Sequence, residues 1–175
     1  MTATMRAVVI DAPGGPDVLH IRELPVPIPG PGQVLIRVEA FGLNRSELHF
    51  RRGMGHSGTF PRVPGIEAVG TVEAAPGGEF PAGTQVAGLM GGMGRDFDGG
   101  YAEYTVVPAS SVVPFRSSLD WSVLGAVPEM LQTAHGSLTV GVGARRGDTI
   151  LIRGGTSSIG LACIVLAKQQ GMTVI

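Results

Sequence analysis

The residues most able to do chemistry lie at 150–160, Ile150-Leu-Ile-Arg-Gly-Gly-Thr-Ser-Ser-Ile-Gly160. An apolar run enters a cluster of small residues, and a second apolar run follows at once. Small side chains let backbone N–H groups approach a diphosphate, and a helix starting there adds positive potential. Gly154, Gly155, Thr156, Ser157, Ser158, Ile159 and Gly160 are therefore the candidate dinucleotide-binding residues. Against the template Gly-x-Gly-x-x-Gly the positions are Gly155, Ser157 and Gly160, so the middle glycine is missing. A glycine-rich turn that binds nothing is the structural alternative. The side chain that selects between NAD and NADP is expected about twenty residues further on, just past the last residue given.

The other reactive side chains are few. Cys163 is the only cysteine, so neither an internal disulfide nor a multi-cysteine zinc site is available. It sits in the apolar run 161–167, where a buried, inert thiol is expected. The net charge is −1 with no basic block, which speaks against a nucleic-acid surface. Arg51 and Arg52 read as a solvated helix end. No apolar run reaches the ~20 residues that span a bilayer, and the N-terminus has no signal-peptide pattern. A cytoplasmic, soluble protein without membrane or nucleic-acid partners is the expectation.

The elements that must position these groups change character along the chain. Up to about residue 107, short apolar or alternating runs at 5–10, 18–22, 34–38, 68–72, 85–88 and 101–107 read as strands. Turn residues separate them, drawn from 28 glycines and 13 prolines. Such a series suggests a closed or partly closed barrel. A short helix is expected at 46–52, entered at Asn44 or Arg45 and stopped by Gly53. Ser117-Ser-Leu-Asp120 resembles a capping box ahead of a helical stretch to Ala126. Pro128-Glu129 suits the first turn of a helix running to about Thr139. Then come a strand at 148–152, the glycine-rich turn, a helix at 159–170, Gly171 as its stop and a strand at 173–175: one βαβ unit. The uninterrupted apolar run 161–167 calls for burial on most sides, more than a lone βαβ unit can supply, so the helix is expected to be left exposed.

Five stretches carry a resemblance. They are Pro31-Gly-Gln-Val-Leu-Ile-Arg-Val38, Gly42-Leu-Asn-Arg-Ser-Glu47, Pro64-Gly-Ile-Glu-Ala-Val-Gly70, Asp98-Gly-Gly-Tyr-Ala-Glu-Tyr104 and residues 153–160. In this order they resemble the medium-chain dehydrogenase/reductase superfamily, and within it the zinc-free quinone oxidoreductase branch. The resemblance implies a mixed β and α/β fold. A GroES-like β-barrel catalytic domain would occupy 1–124. The start of a Rossmann NAD(P)-binding domain, incomplete at one βαβ, would occupy 125–175, with the active site in the cleft between the two. It also implies a small-molecule substrate, NADP as cofactor with NAD not excluded, and a possible homodimer in the complete protein.

Departures from the superfamily pattern sharpen the chemistry. Where zinc alcohol dehydrogenases carry a cysteine and a histidine ligand, this chain has Asn44 and Ile66. An amide is a poor zinc ligand and isoleucine is none; no zinc is expected. Hydride delivery to a conjugated acceptor, a quinone or enone, is then favoured, because hydrogen bonds can stabilise the enolate that develops. By position in the motifs Asn44 is the first candidate to orient substrate or nicotinamide, with helix capping as its structural alternative. His49 falls where related quinone reductases often carry a tyrosine. Thr133, in Leu131-Gln-Thr-Ala134, resembles the threonine that approaches the nicotinamide, though its own helix could satisfy it. His20 and His56 read as surface, and Tyr101 and Tyr104 as barrel packing. The loop 91–100, five glycines among ten residues, could offer Met93 and Phe97 to a ring substrate. The competing expectation is a truncated, non-catalytic chain acting as a binding module and prone to self-association.

Overall fold

The computed structural model describes residues 3–54 and 59–175; His56 lies outside the described residues. The chain divides into two compact units, Met1–Ala126 and Val127–Ile175.

In the first unit β1 (Thr4–Ile10) and β2 (Leu19–Pro25) form an antiparallel hairpin. Five further strands, β3 (Gln33–Ala40), β4 (Glu67–Ala74), β5 (Gln85–Leu89), β6 (Tyr104–Pro108) and β7 (Val112–Pro114), form a sheet in the order β6-β3-β4-β5-β7. Its inner face packs Val34, Ile36, Val72, Val86 and Val107 into one core. The expected strand at 101–107 is divided between two tasks. Residues 101–103 join hairpin to sheet: Val8 N donates to the Tyr101 carbonyl (2.8 Å), Glu103 N to Arg6 O (3.1 Å), and Val38 N to Glu103 O (2.9 Å). The result is a curled, partly closed barrel.

Between β3 and β4 comes α1 (Arg45–Arg51), with Asn44 as N-cap in a capping box with Glu47. The reading of Arg51 as solvated is overturned. Arg51 is buried, its guanidinium donates to the Gly14 carbonyl (2.7 Å), and its own carbonyl accepts from Gly14 N (2.8 Å). A guanidinium satisfied by a carbonyl ties α1 to the β1–β2 connection.

The capping box expected at Ser117 also fails. Ser117 Oγ accepts from Leu119 N, while the Ser117 backbone exchanges bonds with the Gln85 amide (3.0 and 3.3 Å). That pair of hydrogen bonds ties the backbone at 117 to β5, and α2 (Trp121–Leu124) opens only after Asp120.

In the second unit α3 (Pro128–Gly136) widens into a π turn at Ser137–Gly141, where Ser137 and Thr139 hydroxyls donate to carbonyls four residues back. There follow β8 (Thr149–Ile150), α4 (Ser158–Gln169) and β9 (Thr173–Val174), the two strands pairing in parallel. Ala134 and Leu138 pack on Ala162, Cys163 and Ala167, small side chains that let α3 and α4 approach closely. As expected of an apolar helix in a lone βαβ unit, Leu161 is 55% and Val165 63% exposed. α4 is covered by α3 and by Ile150 and Val174 of the strand pair, and its remaining face is left in water.

Candidate functional site

The N-terminus of α1 is the polar centre of the first unit. Asn44 Nδ2 donates to Glu67 Oε1 at 2.7 Å. The Glu47 carboxylate accepts from two backbone amides, Asn44 N through Oε2 and Ile66 N through Oε1, each at 3.0 Å. Glu47 thereby ties the start of α1 to the turn that delivers β4, fixing Asn44 against Glu67. Both carboxylates are buried, at 7% and 2% exposure. Burial pushes Glu47 above its ordinary value, opposed by the amides it accepts from.

Asn44 and Glu47 border a cavity of about 230 Å³ together with Ile10, Leu19, Leu43, Leu48, Arg51, Pro64 and Tyr101. For Tyr101 the sequence favours packing in the barrel over lining a pocket. Tyr101 does pack there, beside Met5, Ala7 and Val63, and it also reaches this cavity. Burial first, and then the charges of Glu47 and Glu67, raise its pKa well beyond the ordinary phenol value. The hydroxyl therefore stays protonated throughout the neutral range. Phe41 stacks on its ring at 4.5 Å between centroids. Neither Tyr101 nor Glu47 was singled out as a site residue from sequence; only the motif positions around them could have drawn attention to them.

The remaining candidates are dispersed. His49 is half-buried on α1 and is not among the residues bordering this cavity. Thr133 lies on α3 in the other unit, its hydroxyl donating to Glu129 Oε1 one turn earlier (2.7 Å). In the glycine-rich loop, Arg95 donates to Ser46 on α1, anchoring the loop at the helix start. Met93 is not available to a ring substrate; it is buried in the β3–β4–β5–β6 core, because its apolar side chain turns in under the loop. Phe97 packs partly on the same core and borders a separate cavity of about 600 Å³ with Met5, Leu24 and Tyr104.

The turn of the second unit shows why its sequence departs from the template. Gly154 has φ +81°, in the left-handed region that favours glycine. Ser157, where a second glycine was missed, has φ −77° and ψ 162°, an ordinary extended conformation. Its hydroxyl donates to Gly154 O (2.8 Å) and accepts from Gly160 N (3.1 Å), capping α4. At Gly160 an added Cβ would stand 2.3 Å from the Gly154 carbonyl, so helix and turn touch there. Residues 153–158 are exposed except for half-buried Gly155, leaving the first turn of α4 open to a ligand.

Among the described residues no three His, Cys, Asp or Glu side chains come together to hold a metal ion. At Asn44 the donor set is an amide nitrogen already bonded to Glu67 and a carboxylate already bonded to two N–H groups, which does not fit zinc. Cys163 is buried, its thiol pushed up by burial and 4.0 Å from the Ala134 carbonyl. No helix among the described residues is long and apolar enough to cross a membrane.

Residues 30–117 match the alcohol dehydrogenase GroES-like domain family. The human quinone oxidoreductase is 31% identical over 98% of this chain and 52% of its own length. Among solved structures, AibC superposes with a TM-score of 0.92 at 29% identity, over 99% of this chain and 55% of its own. A mycobacterial protein crystallised with NADPH superposes with a TM-score of 0.85 at 33% identity, over 97% and 50% respectively. The chain thus spans about half the length of the relatives it matches.

Proposed function

Since the chain belongs to the alcohol dehydrogenase GroES-like domain family, within the medium-chain dehydrogenases/reductases, we propose that it serves an NAD(P)H-dependent oxidoreductase that reduces a quinone or enone without zinc. The observation that carries the zinc-free reading is the Asn44–Glu67 bond: the position resembling a metal-ligand site is an amide locked to a carboxylate. When bound, the nicotinamide supplies hydride to a carbon of the acceptor. The chain's own groups do the rest.

Residues 154–160 fit the cofactor's diphosphate: a left-handed glycine, a capped helix start and an exposed first turn. Asn44 has two amide hydrogens, and the bond to Glu67 uses one of them. The second serves as donor to the carbonyl oxygen on which charge builds as the acceptor is reduced. Tyr101, held protonated, is a further donor bordering the same cavity. Thr133 is proposed to approach the nicotinamide and His49 to lie near the acceptor. NADPH is the preferred form in this reading, supported by the NADPH-bound relative, with NADH not excluded.

The test is calorimetric titration of the chain with NADPH and NADH, followed by assays of quinone and aldehyde reduction with the reduced cofactor and of simple-alcohol oxidation with the oxidised one. NADPH binding that G160A abolishes, and quinone reduction indifferent to a chelator, are the expected results. Stoichiometric zinc, or alcohol oxidation lost to a chelator, refutes the reading. A second reading, a binding module without catalysis, is favoured by the uncovered apolar face of α4; it predicts cofactor binding with no turnover.

A further inference from the structure

The cavity beside Asn44 does not end at Tyr101. A second cavity, of about 330 Å³, is bordered by Val8, Ile21, Val38, Phe41 and, again, Tyr101. The two have a common floor. In the β1–β2 hairpin Ile10 faces Leu19 and Val8 faces Ile21. Side chains two residues apart on a strand share a face, so the Ile10–Leu19 pair under the first cavity continues into the Val8–Ile21 pair under the second. On another side the segment after β3 contributes Leu43 to the first cavity and Phe41 to the second. This strip is open: Ile21 is 76% and Leu43 80% exposed.

The lining says what would lie there. The charged residues bordering the second cavity are bonded among themselves or to neighbours: Arg6 to Glu103 at 2.8 Å, and Glu39 to Arg37 at 3.2 Å. The floor and the aromatic side are apolar. The first cavity, by contrast, has amide and phenol groups suited to a carbonyl.

We propose that the two cavities form one extended acceptor site, in which the ring carbonyl lies by Asn44 and an apolar chain attached to the ring runs over Val8 and Ile21, beside Phe41. This deepens the quinone reading and rests on it. It makes the substrate class a ring acceptor bearing an alkyl or prenyl chain. Two strand residues advance ~7 Å, which roughly five or six chain carbons cover.

The experiment compares binding of 2,3-dimethyl-1,4-naphthoquinone and 2-methyl-3-hexyl-1,4-naphthoquinone to the chain by calorimetry; both ring positions are blocked against thiol addition. The hexyl compound is expected to bind roughly ten-fold tighter, several methylenes being removed from water in a half-open groove. In I21D the two compounds should bind alike, and in I21L the preference should return. Thermal melts check that I21D is folded. Equal affinities in the unaltered chain, or a preference that survives I21D, overturn the proposal. The quinone reading fails separately: its signature would be a hexyl preference intact in the unaltered chain while N44A leaves the affinity of the dimethyl compound unchanged.

Discussion

Glu47 has both carboxylate oxygens committed to backbone amides while lying almost out of water. Replacement by alanine strands two buried donors, and a loss of about 3 kcal/mol is expected in urea denaturation. The pH dependence has a definite sign. Burial raises the Glu47 pKa in the folded state above its ordinary 4.5. Between the two values the folded chain holds a proton that the unfolded chain has released, so the Glu47 contribution to stability declines as pH rises from about 4.5 through the folded pKa. The stability advantage of the unaltered chain over E47Q should therefore shrink from pH 4.5 towards 7; a widening gap would reverse the assignment. At the other end of the chain Cys163 is buried with its thiol pushed up. An aromatic disulfide reagent should label it only slowly unless denaturant is added. Of the two residues, only Cys163 was read from the sequence, since an apolar run signals burial directly. The partners of Glu47 are backbone amides 3 and 19 residues away, and no residue type announces them.

At the level of elements the turn into α4 separates two roles that a sequence template merges. Gly154 needs a left-handed backbone, yet a Cβ there meets nothing within 4 Å. G154A should cost about 1–2 kcal/mol through backbone strain alone. G160A presses a Cβ onto the Gly154 carbonyl and the Gly155 Cα, and should both lower the melting temperature and abolish nucleotide binding. S157A removes the cap and should cost about 1 kcal/mol. If G154A and G160A weaken nucleotide binding equally, close packing of helix and turn is not what shapes the loop. The missing middle glycine is thus no defect: position 157 has negative φ and uses its side chain as a cap. The same contrast explains α2. Ser117 has the residue type of an N-cap, but the Gln85 amide engages its backbone N–H and carbonyl, and a long-range bond overrides local propensity.

For the whole molecule, the two units differ in how much they can bury. The first has a five-stranded sheet and a hairpin; the second has two helices against two short parallel strands. Parallel strands are stable when covered on both faces, and in the second unit Leu161 and Val165 remain in water. Hydrogen exchange should be slowest in β3 and β4 and clearly faster in residues 149–174. The chain should also bind a hydrophobic dye and sediment as a mixture at high concentration. A monodisperse monomer with uniform protection would contradict both.

Residue order alone determined most of the succession of strands and helices, the glycine-rich turn before α4 and the five motif stretches, because hydrophobic period and small residues act over a few neighbours. The family followed from those stretches. What surrounds Asn44 was decided only by the tertiary fold. Glu67 bonds to it, and Tyr101 borders the same cavity, from segments more than twenty residues away. Burial, which holds the proton on Tyr101, is a property of the packed chain and of no single segment.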